Sequence, residues 1–369
     1  MDDGTNAPSR PLHVLLAGGG SGGHVFPALA IGEALAARGW RVSFVGTANG
    51  MEARLVPARG VEFHALPAMP MVGRGGFGKL RGGVTLVRSA VAARSLVRRL
   101  GAEVVVGTGG YVSAPAVLGA RLAGRPAILV EPNARAGVAN RFLSRFARGA
   151  ALGVAGAARD LRCPSVVTGV PLRREFARAA EPLPMGSRVL VLGGSQGARR
   201  LNELLPAALA SAAARIPGLE VVHQAGERWI DAARTAYERA GVVAEVVPFI
   251  DDVARAMAEA SLIVSRSGAN TLAEIACAGR PALLLPLAAA GAHQLDNARA
   301  FAAAGAADVF TDGPASELLV DLLVGLLGDR PRLERLASAA RGLAKPEAAA
   351  AVAELVERAV SAAAPGGGR

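Results

Sequence analysis

Two glycine-rich turns are the segments of this chain best suited to chemistry, because each can gather backbone N–H groups around an anion. The first is Gly-Gly-Gly-Ser-Gly-Gly-His at residues 18–24, and the second is Gly-Gly-Ser-Gln-Gly at residues 193–197. Each turn follows a run of leucines and β-branched residues and precedes a helical pattern. A turn of this kind at a helix N-terminus favours phosphate. The pair therefore predicts an enzyme with two phosphorylated substrates, unless the glycines only allow helix and strand to pack closely.

His24 directly follows the first turn and is the candidate general base. At the start of a helix, the dipole is expected to lower the pKa of a histidine and keep its ring neutral, which is the state that a base requires. The alternative is that His24 only forms hydrogen bonds to the substrate or to its diphosphate.

Composition limits the class of protein. The 369 residues are enough for about two domains. The excess of 41 Lys and Arg over 30 Asp and Glu gives a net charge of +11, which favours an anionic partner such as nucleic acid, a membrane surface or a phosphorylated substrate. Cys163 and Cys277 have no second cysteine or histidine at metal-ligand spacing, so we expect no metal or other cofactor and a reducing, cytoplasmic setting. No apolar run reaches the roughly 20 residues of a spanning helix, so any membrane contact is expected to be peripheral.

The elements that must position these turns form a repeated pattern of strands and helices. A helix is predicted from about Pro27 to Arg38, between strands at residues 13–16 and 42–45, and the alternation restarts after Gly169 with a strand at residues 188–192. Strands separated by helical crossovers predict an α/β fold with doubly wound parallel sheets covered on both faces.

A dinucleotide-binding oxidoreductase is the first alternative to exclude. Gly18, Gly20 and Gly23 satisfy G-x-G-x-x-G, but that motif also needs an acidic residue at the end of the second strand. The second strand ends near Thr47, and the nearest acidic residue, Glu52, comes too late. The second glycine turn lacks G-x-G, so the sequence argues against a dehydrogenase.

Several motifs in order resemble the MurG family of N-acetylglucosamine transferases. These motifs are the first glycine turn extended through Ala30, Glu131-Pro132-Asn133, residues 193–198, Ser-Gly-Ala-Asn-Thr-Leu-Ala-Glu-Ile at residues 267–275, and Gly279-Arg280-Pro281. The resemblance runs from about Leu12 to Ala307. It implies a GT-B fold in which two Rossmann-like domains face a cleft. The expected N-terminal domain is residues 1–168, on the acceptor and membrane side, and the C-terminal helix at residues 346–362 is expected to pack on it. The expected C-terminal domain is residues 169–345, on the donor side.

The resemblance also implies a reaction. N-acetylglucosamine would pass from UDP-N-acetylglucosamine, with inversion, to the C4 hydroxyl of undecaprenyl-diphospho-N-acetylmuramoyl-pentapeptide, which converts lipid I to lipid II in peptidoglycan synthesis. One alternative is another GT-B enzyme that uses the same donor, such as a 2-epimerase or a transferase with a different acceptor. A non-catalytic nucleotide-binding membrane adaptor is the alternative from another class.

The same resemblance implies which residues bind the donor. Backbone groups of Ile250 would recognise uracil, the helix beginning near Ala269 would bind the diphosphate, and Glu274 would bind the ribose. The full donor set is Ser21, Gly22, Gly23, Asn133, Arg173, Ser195, Ile250, Ala269, Asn270, Thr271, Leu272, Ala273, Glu274 and Gln294. The chain departs from the family pattern at Val170, where Asn is usual, and at Pro132, where Gln is usual.

A third glycine turn, Gly-Thr-Gly-Gly-Tyr at residues 107–111, is expected to join the first turn in binding the acceptor diphosphate. The residues expected there are Gly20, Ser21, Gly22, Gly23, Thr108, Gly109, Gly110 and Tyr111.

The segment from Arg74 to Arg99 predicts a membrane-docking helix. It holds seven basic residues and no acidic one, with apolar residues between them. This arrangement suits an interfacial helix on the anionic cytoplasmic leaflet. The residues expected to dock are Phe77, Lys79, Leu80, Arg81 and Arg88. A nucleic-acid surface is disfavoured because aromatic residues for base stacking are scarce.

Overall fold

The computed structural model describes residues 11–67, 76–177, 180–194, 197–287, 293–311 and 316–363. The side chains of residues 76–81, 177 and 316 lie outside this description.

The first unit contains a parallel sheet of seven described strands, and helices connect most of the successive strands. The strands are β1 (His13–Gly18), β2 (Arg41–Gly46), β3 (Glu62–Ala65), β4 (Val104–Gly109), β5 (Ala127–Glu131), β6 (Gly149–Leu152) and β7 (Ser165–Val167). The helices are α1 (Gly22–Ala36), α2 (Glu52–Leu55), α3 (Gly76–Leu100), α4 (Ser113–Leu122) and α5 (Val138–Leu143). The strand order is β3-β2-β1-β4-β5-β6-β7.

The second unit repeats this plan with six described strands, all parallel. The strands are β8 (Ser187–Leu192), β9 (Leu219–Gln224), β10 (Ala244–Val247), β11 (Leu262–Ser265), β12 (Ala282–Leu284) and β13 (Ala307–Val309). The helices of this unit are α6 (Arg199–Ala213), α7 (Ile230–Ala240), α8 (Val253–Ala258), α9 (Ala269–Ala278), α10 (His293–Ala303), α11 (Ser316–Leu327) and α12 (Arg330–Leu343). The last helix of the chain, α13 (Ala348–Ser361), belongs to the first unit. The strand order is β10-β9-β8-β11-β12-β13.

Each sheet is buried on both faces. In the first unit one face is covered mainly by α3 and α4 and the other by α1 and α13, and the second sheet likewise separates two apolar clusters. A parallel sheet needs this double cover, because its strands are apolar on both faces. The doubly wound α/β architecture expected from the sequence is confirmed.

The unit boundaries differ slightly from the prediction. One unit comprises residues 1–131, 136–171 and 347–369, and the other comprises residues 132–135 and 172–346. The C-terminal helix α13 returns to the first unit because Val352, Ala353 and Val356 pack into its core. The sequence assigned Asn133 to the first domain, but residues 132–135 group with the second unit.

Some predicted element bounds are wrong. Helix α1 begins at Gly22 rather than Pro27, so Pro27 lies inside the helix. The strands β3, β6, β7 and β13 were missed because they are short, and β6 is Gly-Ala-Ala-Leu, with no β-branched residue. Strand β6 exists because its backbone pairs with β5 on one side and β7 on the other.

A buried arginine secures the end of α9. Arg280 is fully buried, and its Nε donates to the carbonyls of Met257 at 3.1 Å and Ala258 at 3.2 Å. Its Nη1 donates to the Glu181 carbonyl at 2.9 Å. The guanidinium therefore joins α9 to the end of α8 and to the loop before β8.

We predict that Arg280→Met lowers the free energy of unfolding by roughly 2–4 kcal/mol, since a buried carbonyl left without a donor costs about 1–3 kcal/mol. Urea denaturation measures the change. The exposed Arg335 on α12 offers a matched control, and Arg335→Met should shift stability by less than about 0.5 kcal/mol. Equal losses in the two variants would show that the Arg280 hydrogen bonds do not contribute.

Candidate active site

The first and third glycine turns meet at the point where the strand order of the first sheet reverses. Strand β1 pairs with β4, and Gly18 lies opposite Gly109. Ligands of doubly wound sheets bind at such a switch point, outside the carboxyl ends of the strands. Gly110 has a φ of +77°, and a methyl group added there would collide with the Gly19 carbonyl, so only glycine fits.

The third turn orients the His24 ring. The His24 Nδ1 lies 2.9 Å from the Thr108 carbonyl oxygen. Because a carbonyl only accepts, Nδ1 carries the hydrogen, and the neutral ring keeps its lone pair on Nε2. Burial is the main cause that lowers the pKa of His24, while the Thr108 carbonyl and the Glu131 carboxylate act in the opposite direction. The pKa of His24 is lowered as the sequence predicted, with burial as its principal cause, while its role as a base stays a prediction.

Two predicted phosphate ligands in the third turn are already bonded within the protein. The Thr108 hydroxyl is buried and donates to the carbonyls of His24 at 2.8 Å and Ala17 at 3.3 Å. The Gly109 N–H donates to the Ser113 hydroxyl at 3.0 Å. The Thr108 hydroxyl therefore joins the third turn to the first, while the Gly109 N–H is bonded within the third turn. These bonds make both groups poorer candidates for direct contact with a diphosphate, and their predicted role stays a prediction.

The first turn retains the better anion site. Ser21 precedes α1, and Gly22 is its first residue, whose N–H has no acceptor within the helix. The Gly20 N–H instead donates to Glu52 at 3.2 Å. Of the predicted cradle, Ser21 and Gly22 are the part that can offer N–H groups to a phosphate.

Glu52 is a functional candidate that the sequence analysis dismissed. Its fully buried carboxylate accepts from the Thr47 hydroxyl at 2.7 Å and the Thr47 N–H at 3.0 Å, besides the Gly20 N–H. Burial by itself raises the pKa of Glu52, but these hydrogen bonds outweigh it and the net shift is downward. An ionised carboxylate therefore connects the first glycine turn to the loop after β2.

The second unit has its own switch point between β8 and β11. Strand β8 leads into the second glycine turn, where Gly194 and Gly197 have φ of +74° and +71°. Strand β11 leads into α9. Ser195 lies outside the described residues, so its predicted contact with the donor phosphate stays a prediction.

Helix α9 presents its N-terminus at this point. Gly268 is the N-cap and has no capping side chain, so the first-turn N–H groups of Ala269 and Thr271 have no acceptor inside the helix. The Leu272 N–H donates to the Gly268 carbonyl at 3.0 Å, and that of Ala273 lies within the helix. Leu272 and Ala273 are therefore poor candidates for direct diphosphate ligands.

Glu274 lies one turn further along α9 and is partly buried. Burial raises its pKa to about 7, an effect that Arg173 opposes and Glu175 reinforces. Arg173 pairs with Glu175 at 2.8 Å and lies over the Phe176 ring at 5.5 Å. Glu274 is therefore not an ordinary solvated carboxylate, and Arg173 is held close to it.

Asn297 is a site residue that the sequence analysis missed. Its buried amide accepts from the Ala134 N–H at 2.8 Å and donates to the Asn133 side chain at 3.1 Å and to the Ser267 carbonyl at 3.2 Å. It joins residues 132–135 to the segment before α9. The available signal was a second amide side chain on α10, three residues after the predicted Gln294 and on the same helical face.

Gln294 lies in the first turn of α10, and part of its hydrogen-bonding capacity is used within the second unit. Its Oε1 accepts from the Leu287 N–H at 2.9 Å, and its carbonyl accepts from the Ser267 hydroxyl at 2.6 Å. The Oε1 bond orients the Gln294 amide, and its two N–H donors are then the groups that could contact a sugar hydroxyl.

The predicted uracil-binding segment borders a pocket of about 240 Å³. Ile250 and Phe249 line it, together with residues of β8, β9, β10 and α8. Ile250 packs against the core beneath α9. The side chain of Phe249 is 55% exposed.

The predicted membrane segment is helical as α3. Val84, Val87, Arg88 and Val91 are exposed, and their spacing of three or four residues places them on one face. Leu96, an apolar residue of the same segment, is buried in the core instead. The side chains of Phe77, Lys79, Leu80 and Arg81 lie outside the description. In the described part of the chain, no helix has the length and apolar composition needed to cross a bilayer.

Two family models match the chain, those of the glycosyltransferase family 28 N-terminal domain at residues 14–152 and C-terminal domain at residues 188–355. The chain belongs to glycosyltransferase family 28. A UDP-N-acetylglucosamine--N-acetylmuramyl-(pentapeptide) pyrophosphoryl-undecaprenol N-acetylglucosamine transferase of Halorhodospira halophila is 46% identical over 353 residues, which cover 93% of this chain and 97% of that relative. A transferase of the same name from Pseudomonas putida strain W619 is 41% identical over 93% of this chain and 96% of its own length.

Solved structures agree with this family assignment. The crystal structure of Acinetobacter baumannii MurG has a TM-score of 0.79 and 33% identity, covering 94% of this chain and 100% of its own. A putative UDP-N-acetylglucosamine 2-epimerase from Listeria monocytogenes has a TM-score of 0.70 at 14% identity over 96% of each chain, which shows a shared fold alone. The expected GT-B fold and the resemblance to the MurG family are confirmed, and the chain is a glycosyltransferase.

We predict that Glu274→Gln stabilises the unliganded protein at pH 8 by roughly 1–3 kcal/mol. The pKa of the folded carboxyl is about 7, whereas the ordinary pKa of a glutamate is 4.5. Between these values the folded state binds more protons, so stability falls as pH rises. The variant lacks this loss.

The same change should weaken UDP-N-acetylglucosamine binding by about 1.5–3 kcal/mol, as for a lost charge-assisted hydrogen bond.

Thermal unfolding at pH 5 and pH 8 and titration calorimetry measure the two effects. The matched control is Glu238→Gln, on the exposed face of α7, which should change neither. A variant with unchanged donor affinity would remove Glu274 from the donor site.

Proposed function

We propose that this protein transfers N-acetylglucosamine from UDP-N-acetylglucosamine to the C4 hydroxyl of undecaprenyl-diphospho-N-acetylmuramoyl-pentapeptide, converting lipid I to lipid II with inversion. The observation that carries the mechanism is the His24 tautomer. Its Nδ1–H is committed to the Thr108 carbonyl, so its Nε2 has a lone pair beside the glycine turn of the first unit.

The reaction needs one proton transfer and one displacement. The C4 hydroxyl attacks the anomeric carbon of the donor sugar from the face opposite UDP, and its proton passes to His24 Nε2. The bond from the anomeric carbon to the phosphate oxygen breaks, and UDP leaves with the electron pair. Back-side attack inverts the configuration. General-base catalysis of this kind contributes about 10²–10⁴-fold to the rate.

The charge that develops on UDP is stabilised by the second unit in this proposal. The α9 N-terminus offers N–H groups and a favourable dipole to the diphosphate, and Arg173 adds a positive charge close to Glu274. The Glu274 carboxylate would accept from the ribose hydroxyls. Since these groups supply the positive potential, we propose that transfer needs no metal or other cofactor, and undiminished turnover in excess chelator is the expected result.

Two other functions use the same donor site. A 2-epimerase would invert C2 of the donor sugar without a lipid acceptor, and a nucleotide-binding adaptor would not turn over. Radiolabelled UDP-N-acetylglucosamine supplied with a lipid I analogue separates all three, because our proposal requires label in the lipid fraction and UDP release that depends on the acceptor.

We further propose that α3 docks on the anionic inner leaflet, which makes the enzyme a peripheral protein of the cytoplasmic face. The support is the exposed face of α3, where Val87 is 64% exposed beside Arg88. An apolar stripe with arginines suits the headgroup boundary, where valines lose water and each arginine gains about 1 kcal/mol. The predicted docking residues Phe77, Lys79, Leu80 and Arg81 belong to the first turns of this helix.

We predict that His24→Ala lowers kcat by about 10²–10⁴-fold, with donor affinity unchanged because the principal donor groups belong to the second unit. Steady-state kinetics and calorimetry measure the two quantities. His64→Ala is the control, since His64 is a partly buried histidine that pairs with Glu62 at the sheet edge. Near-normal kcat with only a raised acceptor KM would assign His24 to binding instead.

We predict that Val87→Ser, Arg88→Glu and Val91→Ser together release the protein from vesicles that contain anionic lipid. Wild-type binding should fall with added salt, because exposed charges are screened. Activity on a short-chain, water-soluble acceptor should be retained. The control is Arg239→Glu with Val243→Ser, which removes an exposed arginine and an exposed valine from the second unit. Vesicle binding that survives the triple change would place the docking surface elsewhere.

A further inference from the structure

The first unit contains a pocket of about 460 Å³ that no step of the proposed reaction uses. It lies at the carboxyl ends of β2, β3 and β4, the edge where parallel sheets bind ligands. Its volume falls in the usual range for small-molecule sites, about 300–1,000 Å³. The lining residues are Thr47, Ala48, Asn49, Gly50, Ala65, Leu66, Pro67 and Tyr111.

The pocket shares a wall with the turn that precedes His24. A methyl group built on Gly20 would lie 3.1 Å from Cε1 of Tyr111 and 3.5 Å from its hydroxyl oxygen, so the Tyr111 ring packs against the turn. Tyr111 also lines the pocket. A molecule whose phosphate lies at Ser21 and Gly22 can therefore extend past Tyr111 into this space.

The Glu52 carboxylate lies against two of the residues that line the pocket, Thr47 and Gly50. Side chains added at Gly19, Gly46 or Gly50 would collide with Glu52, so three glycines allow this carboxylate to lie against the backbone of both loops. It accepts from the Thr47 hydroxyl, and Thr47 lines the pocket. The downward shift of the Glu52 pKa keeps the charge negative, which disfavours an anion in the pocket.

The lining itself is neutral. It contains no lysine, arginine or histidine among the described residues. Thr47, Asn49 and Tyr111 offer hydroxyl and amide groups, while Ala48 and Leu66 offer apolar contact. A neutral group that combines an amide with a methyl matches this lining, and a phosphate or a free carboxylate does not.

We propose that this pocket binds the N-acetylmuramoyl sugar of the acceptor through a secondary amide and its methyl group. This inference rests on the proposed function. The diphosphate would occupy the first glycine turn, and the neutral sugar substituents would extend past Tyr111. Two parts of the sugar have this chemistry, the N-acetyl group at C2 and the lactoyl amide that carries the peptide.

The test fills the pocket from its rim. Ala48 is exposed on the loop after β2, and Ala48→Phe would occupy the space with an aromatic ring. We expect the KM for a soluble lipid I analogue to rise at least about tenfold, a loss of about 1.4 kcal/mol, while kcat falls less than about threefold. Affinity for UDP-N-acetylglucosamine should be unchanged.

The matched control is Ala58→Phe. Ala58 is an exposed alanine in the 3₁₀ turn after α2 and does not line the pocket. It should leave both constants unchanged. Thermal unfolding of both variants shows that a raised KM does not come from a destabilised fold.

An acceptor analogue with N-acetylglucosamine in place of N-acetylmuramoyl-pentapeptide, used as a competitive inhibitor, distinguishes the two groups. If Ala48→Phe weakens its binding as well, the C2 N-acetyl group occupies the pocket. If only the complete acceptor is weakened, the lactoyl amide does. An unchanged acceptor KM in Ala48→Phe, with normal transfer by the wild type, would overturn the pocket assignment and leave the proposed function standing. Absence of transfer by the wild type would reject the function itself.

Discussion

The pairing of β1 with β4 is the constraint on which the catalytic half of this molecule depends. It places Gly18 opposite Gly109 and so brings two glycine turns, far apart in sequence, to one edge of the sheet. Only then can the Thr108 carbonyl reach the His24 ring. Glycine is needed where the turns touch, since a side chain at Gly110 would collide with the Gly19 carbonyl.

Two glutamates show how surroundings decide the use of one side-chain type. Glu52 is fully buried but receives three hydrogen bonds, and its pKa is lowered. Glu274 is partly buried beside one arginine and a second carboxylate, and its pKa is raised to about 7. The first is a structural charge that is already satisfied. The second carries an unfavourable charge without a ligand, which a hydrogen-bond donor from the substrate can relieve.

The second unit is organised by the same topological rule with different side chains. Strands β8 and β11 place a glycine turn beside the α9 N-terminus. Asn297 then fixes residues 132–135 against the segment that leads into α9. A segment that comes early in the chain thus becomes part of the donor half through one buried amide.

The sequence by itself determined the fold class, the two glycine-turn units and the family, because these depend on local patterns and on motifs in order. It also placed His24 and Glu274 correctly as residues that differ from ordinary surface side chains. Only the tertiary structure decided which N–H groups of the glycine turns are already bonded, why the pKa of His24 is lowered, and that Glu52 and Asn297 are buried and hydrogen-bonded beside the glycine turn and α9. Each of these depends on burial or on a partner distant in sequence, such as Gly20 for Glu52 and Ala134 for Asn297. The short strand β6 was missed for the same reason, since neighbouring strands rather than its own residues stabilise it.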